Sequence, residues 1–389
     1  MFNFTFKNRI LLLLVVLIGF ATACKKKDDD AAPAPAETGY RTTKIDYTTL
    51  TSSTSYQATF KQGNDTTVDR DQGRARLRMF RAFATYVGSS ISGNVDLDST
   101  KMSNMFANKS NPFTGGYANL NGLDISIKEA TAVSSANQAE VHAFLEYAFG
   151  QMARISKLRT QAAVEGTAGK HSTGNYLLDE AGIEWAQIIQ KTLIGAYHLD
   201  YIGNVLLNTG LNADNKTLVA GENYTALEHN WDEAYGFFTF NDIYNGGVTD
   251  ALGAKNSLEA YLGSYAWEYN KADYGKLHVA FLKGRAAIHN NDKAEMRAQA
   301  TIIRNILEKA IGGAAYGYMN KSINAPHAFG EGLGFIYATR FAKLTGADAA
   351  FSEELSDDLF VTDETTFYDI TADDYTTVKG KLATKFNLQ

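Results

Sequence analysis

Apolar residues recur every three to four positions along almost the whole of this chain, and little interrupts them. Only four prolines occur in 389 residues, and none falls in the interior of an expected helix, Pro326 lying in a first turn where proline is tolerated. Proline removes a backbone donor and clashes with the preceding turn, so it is the strongest local veto on a helix. Helical periodicity with so few vetoes points to an all-α fold, with helices of roughly 15 to 30 residues joined by short Gly- and Asn-rich loops.

The stretches can be placed one by one. Tyr40 to Thr67 reads as extended or irregular. From Asp71 to Val87, Leu77, Phe80, Ala84 and Val87 share one face. A shorter helix is expected over Asp98–Asn108, then a Gly-rich loop from Asn111 to Gly122. A long helix over Ala136–Ala163 carries Val141, Leu145, Ala148, Met152 and Ile155. Another, over Leu178–Leu207, offers Trp185, Ile189, Ala196 and Tyr197 to a core. Further helices are expected over Thr225–Tyr244, Ser257–His289 and Asp292–Ile311, the last stopped by Gly312-Gly313. Asn324–Thr345 follows, then Ala372–Phe386, which buries Tyr375, Val378, Leu382 and Phe386.

Two of these helices open on nearly the same words. His229-Asn-Trp-Asp-Glu233-Ala-Tyr-Gly236-Phe237 and His327-Ala-Phe-Gly-Glu331-Gly-Leu-Gly334-Phe335 both fit His-x-x-x-Glu-x-x-Gly-Phe. Offsets of 0, 4 and 7 residues fall on one helical stripe. If the two helices face each other, His229, Glu233, His327 and Glu331 converge as mixed nitrogen and oxygen ligands, a set suited to Fe, Zn or Mn. Asp232 is placed to orient His229 as an outer partner. Thr225 and Glu228 form a capping box before His229, and Asn324 is the expected N-cap of the second copy. His and Glu one turn apart is also a favourable helix pair in its own right, so a structural role stands beside the ligand role. His142 and Glu146 repeat the spacing with Phe149 and Gly150 in the opposite order.

The N-terminus reads as an export signal. Lys7 and Arg9 precede an apolar run from Ile10 to Ala21, too short to span a bilayer. It ends Phe20-Ala21-Thr22-Ala23-Cys24, which resembles a lipobox, and Cys24 is the only cysteine in the chain. Residues 1–23 are therefore expected to be removed and Cys24 lipidated. Residues 24–40, with Lys25 to Asp30 and then Pro33 and Pro35, form a solvated tether. Net charge is −6, with no basic block beyond the tether, which argues against nucleic-acid partners. His-Glu-x-x-His, Gly-x-Ser-x-Gly, Walker and Rossmann patterns are absent, so binding is favoured over catalysis. His198, beside aromatics in a helical stretch, reads as a core histidine.

The order of elements resembles a Gram-negative lipoprotein family described as a domain of unknown function (family 4856). The likeness is carried by Arg76 to Phe83, Asp179 to Ala196, Tyr224 to Phe237 and His327 to Ile336. More distantly, the helical build and His/Glu pairs are similar to the imelysin group of iron-regulated envelope proteins, whose signature spaces His and Glu three apart, against four here. That resemblance implies two packed helical bundles with a metal site between them, and a role in iron or haem acquisition. Residues 41–389 would form the helical domain, its halves dividing near 210–220, with a degenerate internal duplication. The expectation is an outer-membrane lipoprotein that binds a metal or metal-containing ligand, membrane-bound through Cys24, with an uptake receptor as partner. The alternatives are an imelysin-type metal-dependent peptidase and a glycan-binding surface lipoprotein, the latter suggested by 21 tyrosines.

Overall fold

The computed structural model describes residues 40–238 and 259–388. The signal, Cys24 and nearly all of the tether lie outside them, and the first motif helix, expected to run to Tyr244, ends at Gly236 with Phe237 as its C-cap. Helix accounts for 63% of the structure and strand for 4%, so the all-α reading holds. In chain order the helices are α1 Tyr56–Thr59, α2 Asp71–Ser92, α3 Ser99–Ala107, α4 Ile127–Ala130 and α5 Gln138–Ser156. Next come α6 Trp185–Leu193, which runs on as a π-helix through Ile194–Leu206, and α7 Ala226–Gly236. Then follow α8 Leu262–Tyr269, α9 Lys271–Asn290, α10 Lys293–Lys321, α11 Pro326–Ala338, α12 Ala349–Leu359 and α13 Ala372–Phe386. Two antiparallel hairpins of two-residue strands interrupt them, β1 Lys61–Gln62 with β2 Asp65–Thr66, and β3 Gly169–Lys170 with β4 Leu177–Leu178.

The core is one continuous cluster of buried apolar side chains. The stripes of α5 and α13 are buried as their spacing requires, Val141 to Ile155 and Tyr375 to Phe386. Helix α10 is the spine, about 43 Å long at 1.5 Å per residue, and it packs against α8, α9, α11 and α13. It does not stop at Gly312-Gly313. A Cβ at Gly312 would overlap the Phe386 ring, and one at Gly317 would overlap Tyr269. These glycines let rings press on the helix backbone, which outweighs their poor helix propensity.

Other boundaries move for local polar reasons. Helix α6 begins at Trp185, not Leu178, because the Asp179 carboxylate accepts from the N–H groups of Ala181 and Ile183 and from Trp185 Nε1, at 2.9, 2.8 and 2.7 Å. That knot holds residues 179–184 in a turn. Helix α5 ends at Ser156, since Gln161 and Ala163 pair their backbones with Lys170. The stretch expected as one helix to His289 breaks at Asn270, whose side-chain amide donates to the Ile306 carbonyl. Asn324 adopts a left-handed conformation, φ 56°, so Ala325 occupies the N-cap of α11. The capping box of Thr225 and Glu228 forms as expected.

Candidate functional site

Each motif helix packs on a helix that carries an acid and a base seven residues apart. Helix α7 lies on α2, where Asp69 stands just before the first turn and Arg76 follows on the same stripe. Helix α11 lies on α6, with Glu184 at its N-cap and Lys191 a stripe further on. The motif glycines make this closeness possible. A Cβ at Gly236 would stand 2.5 Å from the Arg70 carbonyl oxygen, and one at Gly334 would stand 2.6 Å from Lys191 Cβ.

The same chain of contacts then forms twice. In the first site His229 Nδ1 meets Asp69 Oδ2 at 3.0 Å, and its Nε2 faces Glu233 Oε2 at 4.0 Å. The other Glu233 oxygen accepts from Arg76 Nε at 2.8 Å. In the second site His327 Nδ1 meets Glu184 Oε2 at 2.6 Å, Nε2 faces Glu331 Oε2 at 3.7 Å, and Glu331 Oε1 lies 3.0 Å from Lys191 Nζ. A tyrosine ring lies against each imidazole, Tyr224 at 5.4 Å and Tyr176 at 5.2 Å between centroids. Another lies under each base, Tyr201 by Arg76 and Tyr265 by Lys191.

The electrostatics follow from these partners. Burial pulls the His229 pKa down, but the hydrogen bond to Asp69 and the charges of Glu233 and Asp69 more than offset it, so it is raised. His327 is raised chiefly by its hydrogen bond to Glu184. Asp69 is lowered to about 2, mainly by the bond from His229. Glu184 is raised because burial outweighs its bond with His327, and burial lowers Lys191. With Nδ1–H given to a carboxylate, the lone pair of each neutral imidazole sits on Nε2 and faces the unpaired lobe of the motif glutamate.

The expected four-residue convergence does not occur. Among the described residues no group of three or more His, Cys, Asp or Glu lies together as a metal could require. The reason is packing: each His–Glu stripe is turned to its own acid–base helix, so the structure makes two separate pairs. Both pairs also join a helix from before residue 210 to one from after 220, so neither belongs to one side of the expected division. Asp232 does not orient His229. It is fully buried and bonds to Tyr56 Oη at 2.6 Å, Arg285 Nε at 3.0 Å and the Asp69 N–H at 3.3 Å, while burial raises its pKa to about 6. The orienting role falls to Asp69, which with Arg76, Glu184 and Lys191 was missed from the sequence. The repeated seven-residue step from acid to base was the available signal.

Nearby groups clarify the limits of the pattern. Glu228 is a cap and also accepts from Arg41 and Arg285, at 2.9 and 2.8 Å, in a buried network. The third His/Glu pair is not a third site, since His142 Nε2 meets the Thr131 carbonyl at 3.1 Å and Glu146 accepts from the Ser103 hydroxyl. His198 is buried in the π-helix, its pKa pushed down to about 3 by burial, and its Nε2 makes no hydrogen bond.

Comparison with known proteins gives one relation. The model of a family described as a domain of unknown function (DUF4856) matches residues 54–389. No curated protein and no solved structure matches the chain.

Proposed function

The chain belongs to the DUF4856 family, whose description names no activity, and from its own residues we propose that it binds a metal ion or metal-containing ligand at one or both of its His–Glu pairs. One observation carries this reading. In both copies a carboxylate holds imidazole Nδ1, and Nε2 is left facing a free carboxylate oxygen at 4.0 or 3.7 Å. Carboxylate–histidine pairs of this kind fix the tautomer and raise ligand basicity at metal centres. Ligand bonds of about 2.0–2.2 Å let one cation between those atoms reach both with small adjustment. Two acids against one base leave each site one excess negative charge when the imidazole is neutral, which favours a cation.

Two protein donors fill only part of a coordination sphere. Water or ligands that the metal carries complete the rest. Mixed nitrogen and oxygen donors suit Fe, Zn or Mn, and uptake of iron or haem in the cell envelope is the role that fits. Elemental analysis of protein purified without chelator tests the reading. Metal should be present, or taken up on titration with Fe, Zn or Mn, and the double variant His229→Ala/His327→Ala should lose it. A parent protein that neither holds nor takes up metal overturns the proposal.

The anchor belongs to the same reading, and the sequence from Lys7 to Cys24 supports it. Lipid at Cys24 would hold the protein at the outer membrane, beside an uptake receptor. Fractionation of Cys24→Ala should move the protein out of the membrane fraction. A variant that stays membrane-bound and is processed like the parent removes the anchor from the proposal.

A further inference from the structure

We propose that the two sites have divided their work: His327–Glu331 admits the guest, and His229–Glu233 is a closed clamp that holds the fold. This rests on the reading of the chain as a metal binder and says which copy does the binding.

Access separates the copies first. The His327 side chain is 45% exposed and that of Glu331 12%, against 18% for His229 and 3% for Glu233. The surroundings differ in the same sense. One residue before the histidine and three after it, the first copy has Glu228 and Asp232, whereas the second has Pro326 and Gly330. Glu228 and Asp232 tie the first copy to Arg41, Arg285 and Tyr56, and Asp232 also accepts from the Asp69 N–H behind His229. With Pro326 and Gly330 in those places, the second copy makes no such network among the described residues.

The bases differ in what they can release. Arg76 is fixed by Glu233, the Ser126 carbonyl, Glu129 and the Tyr201 hydroxyl at once, so its guanidinium cannot follow Glu233 elsewhere. Lys191 holds Glu331 at 3.0 Å and Gln190 at 2.6 Å through one ammonium on a flexible stem. A point charge on such a stem can swing as a glutamate turns to a new cation, where a planar fork bound on several edges cannot. The rings over the imidazoles differ too. Tyr224 lies within 19° of parallel to His229, and its phenol helps to lower the pKa of Asp69. Tyr176 is tilted 34° from His327 and sits in the hairpin loop between β3 and β4, stacked on His171 at 4.6 Å. The guest is therefore a divalent transition-metal ion whose remaining ligands lie beside Tyr176 at the surface.

The test uses full-length protein in detergent, stripped of metal and titrated with Zn²⁺ alone by calorimetry. The parent should take up one equivalent. His327→Gln should weaken binding by about tenfold or more and leave the melting temperature unchanged. His229→Gln should bind within about twofold of the parent and melt at lower temperature. Because His229→Gln could fail to fold, the parent is also treated with diethylpyrocarbonate and the modified histidines are mapped by mass spectrometry. Zn²⁺ should protect His327 and leave the reactivity of His229 unchanged. Protection of both histidines, two equivalents of Zn²⁺, or binding that survives His327→Gln would overturn the division while the metal-binding reading stands. A parent that binds no Zn²⁺, and no Fe²⁺ or Mn²⁺ in parallel titrations, sinks that reading, and the division with it.

Discussion

Arg285 bridges two buried carboxylates, Glu228 through Nη1 and Asp232 through Nε, and all three side chains are fully buried. Removing the cation leaves Asp232 buried with only neutral donors, Tyr56 and the Asp69 N–H, and leaves Glu228 with Arg41 alone. Breaking a buried pair from one side costs about 3–5 kcal/mol, so Arg285→Met should lose that much in urea unfolding. A loss below about 1 kcal/mol, the scale of an exposed pair, would show that the network contributes little. His198 gives a prediction in pH. Its folded pKa is about 3, below the ordinary histidine value, because burial disfavours the charged ring. The unfolded chain then takes up the proton first, so stability falls as pH drops from the ordinary value toward 3. Between pH 7 and pH 5 that uptake should cost about 2 kcal/mol. His198→Gln does not titrate there, and its stability should fall less over the same interval. Parallel pH profiles for the two proteins would show that His198 does not titrate on unfolding.

Elements are held together by close backbone approach at a few glycines. A Cβ at Gly73 would overlap the Glu233 carbonyl oxygen, and one at Gly334 would meet Lys191 Cβ at 2.6 Å. Gly150, on the exposed side of α5, has nothing within 4 Å of the place a Cβ would take. Gly73→Ala and Gly334→Ala should each cost about 1–3 kcal/mol as overpacking. Gly150→Ala should gain up to about 1 kcal/mol, because alanine is the better helix former. Thermal melts of the three variants test the contrast, and equal shifts would mean that α2/α7 and α6/α11 do not depend on these contacts. The elements best read in advance were the capped start of α7, the whole of α13 and the buried stripe of α5; α7 itself ends at Gly236, short of the expected Tyr244. The π-helix over Ile194–Leu206 was not legible. Its register is tied to other segments: Asp200 accepts from the Ser134 N–H, and Asn204 donates to the Phe341 carbonyl.

Across the whole molecule, the segment before the family match is folded onto it. Arg41 reaches Glu228 and the Asn223 carbonyl, Thr43 meets His289, and Ile45 and Tyr47 bond to Asn290 and Asp292. This segment, expected as extended or irregular, is a strap across the ends of α7 and α9. Glu228 keeps Arg285 if Arg41 is lost, so Arg41→Met should cost about 1.5–3 kcal/mol, the range for a bond to a charged group. Chemical unfolding of Arg41→Met beside Arg285→Met measures the order. An equal or larger loss at Arg41 would place the strap, not the α7–α9 contact, at the centre of the buried network.

The sequence by itself determined the all-α class, most helix positions and the His/Glu stripes, because periodicity, capping and i, i+4 neighbours act within a few turns of one helix. What the stripes face was decided only by the tertiary structure. His229 and His327 carry the same local signal, yet one meets Asp69 and the other Glu184, each more than a hundred residues away in the chain. Asp232 is adjacent to the motif and still turns to Arg285 and Tyr56. Burial ranks such partners, since a charge taken out of water goes to whichever opposite charge packing delivers, and packing is a property of the assembled helices.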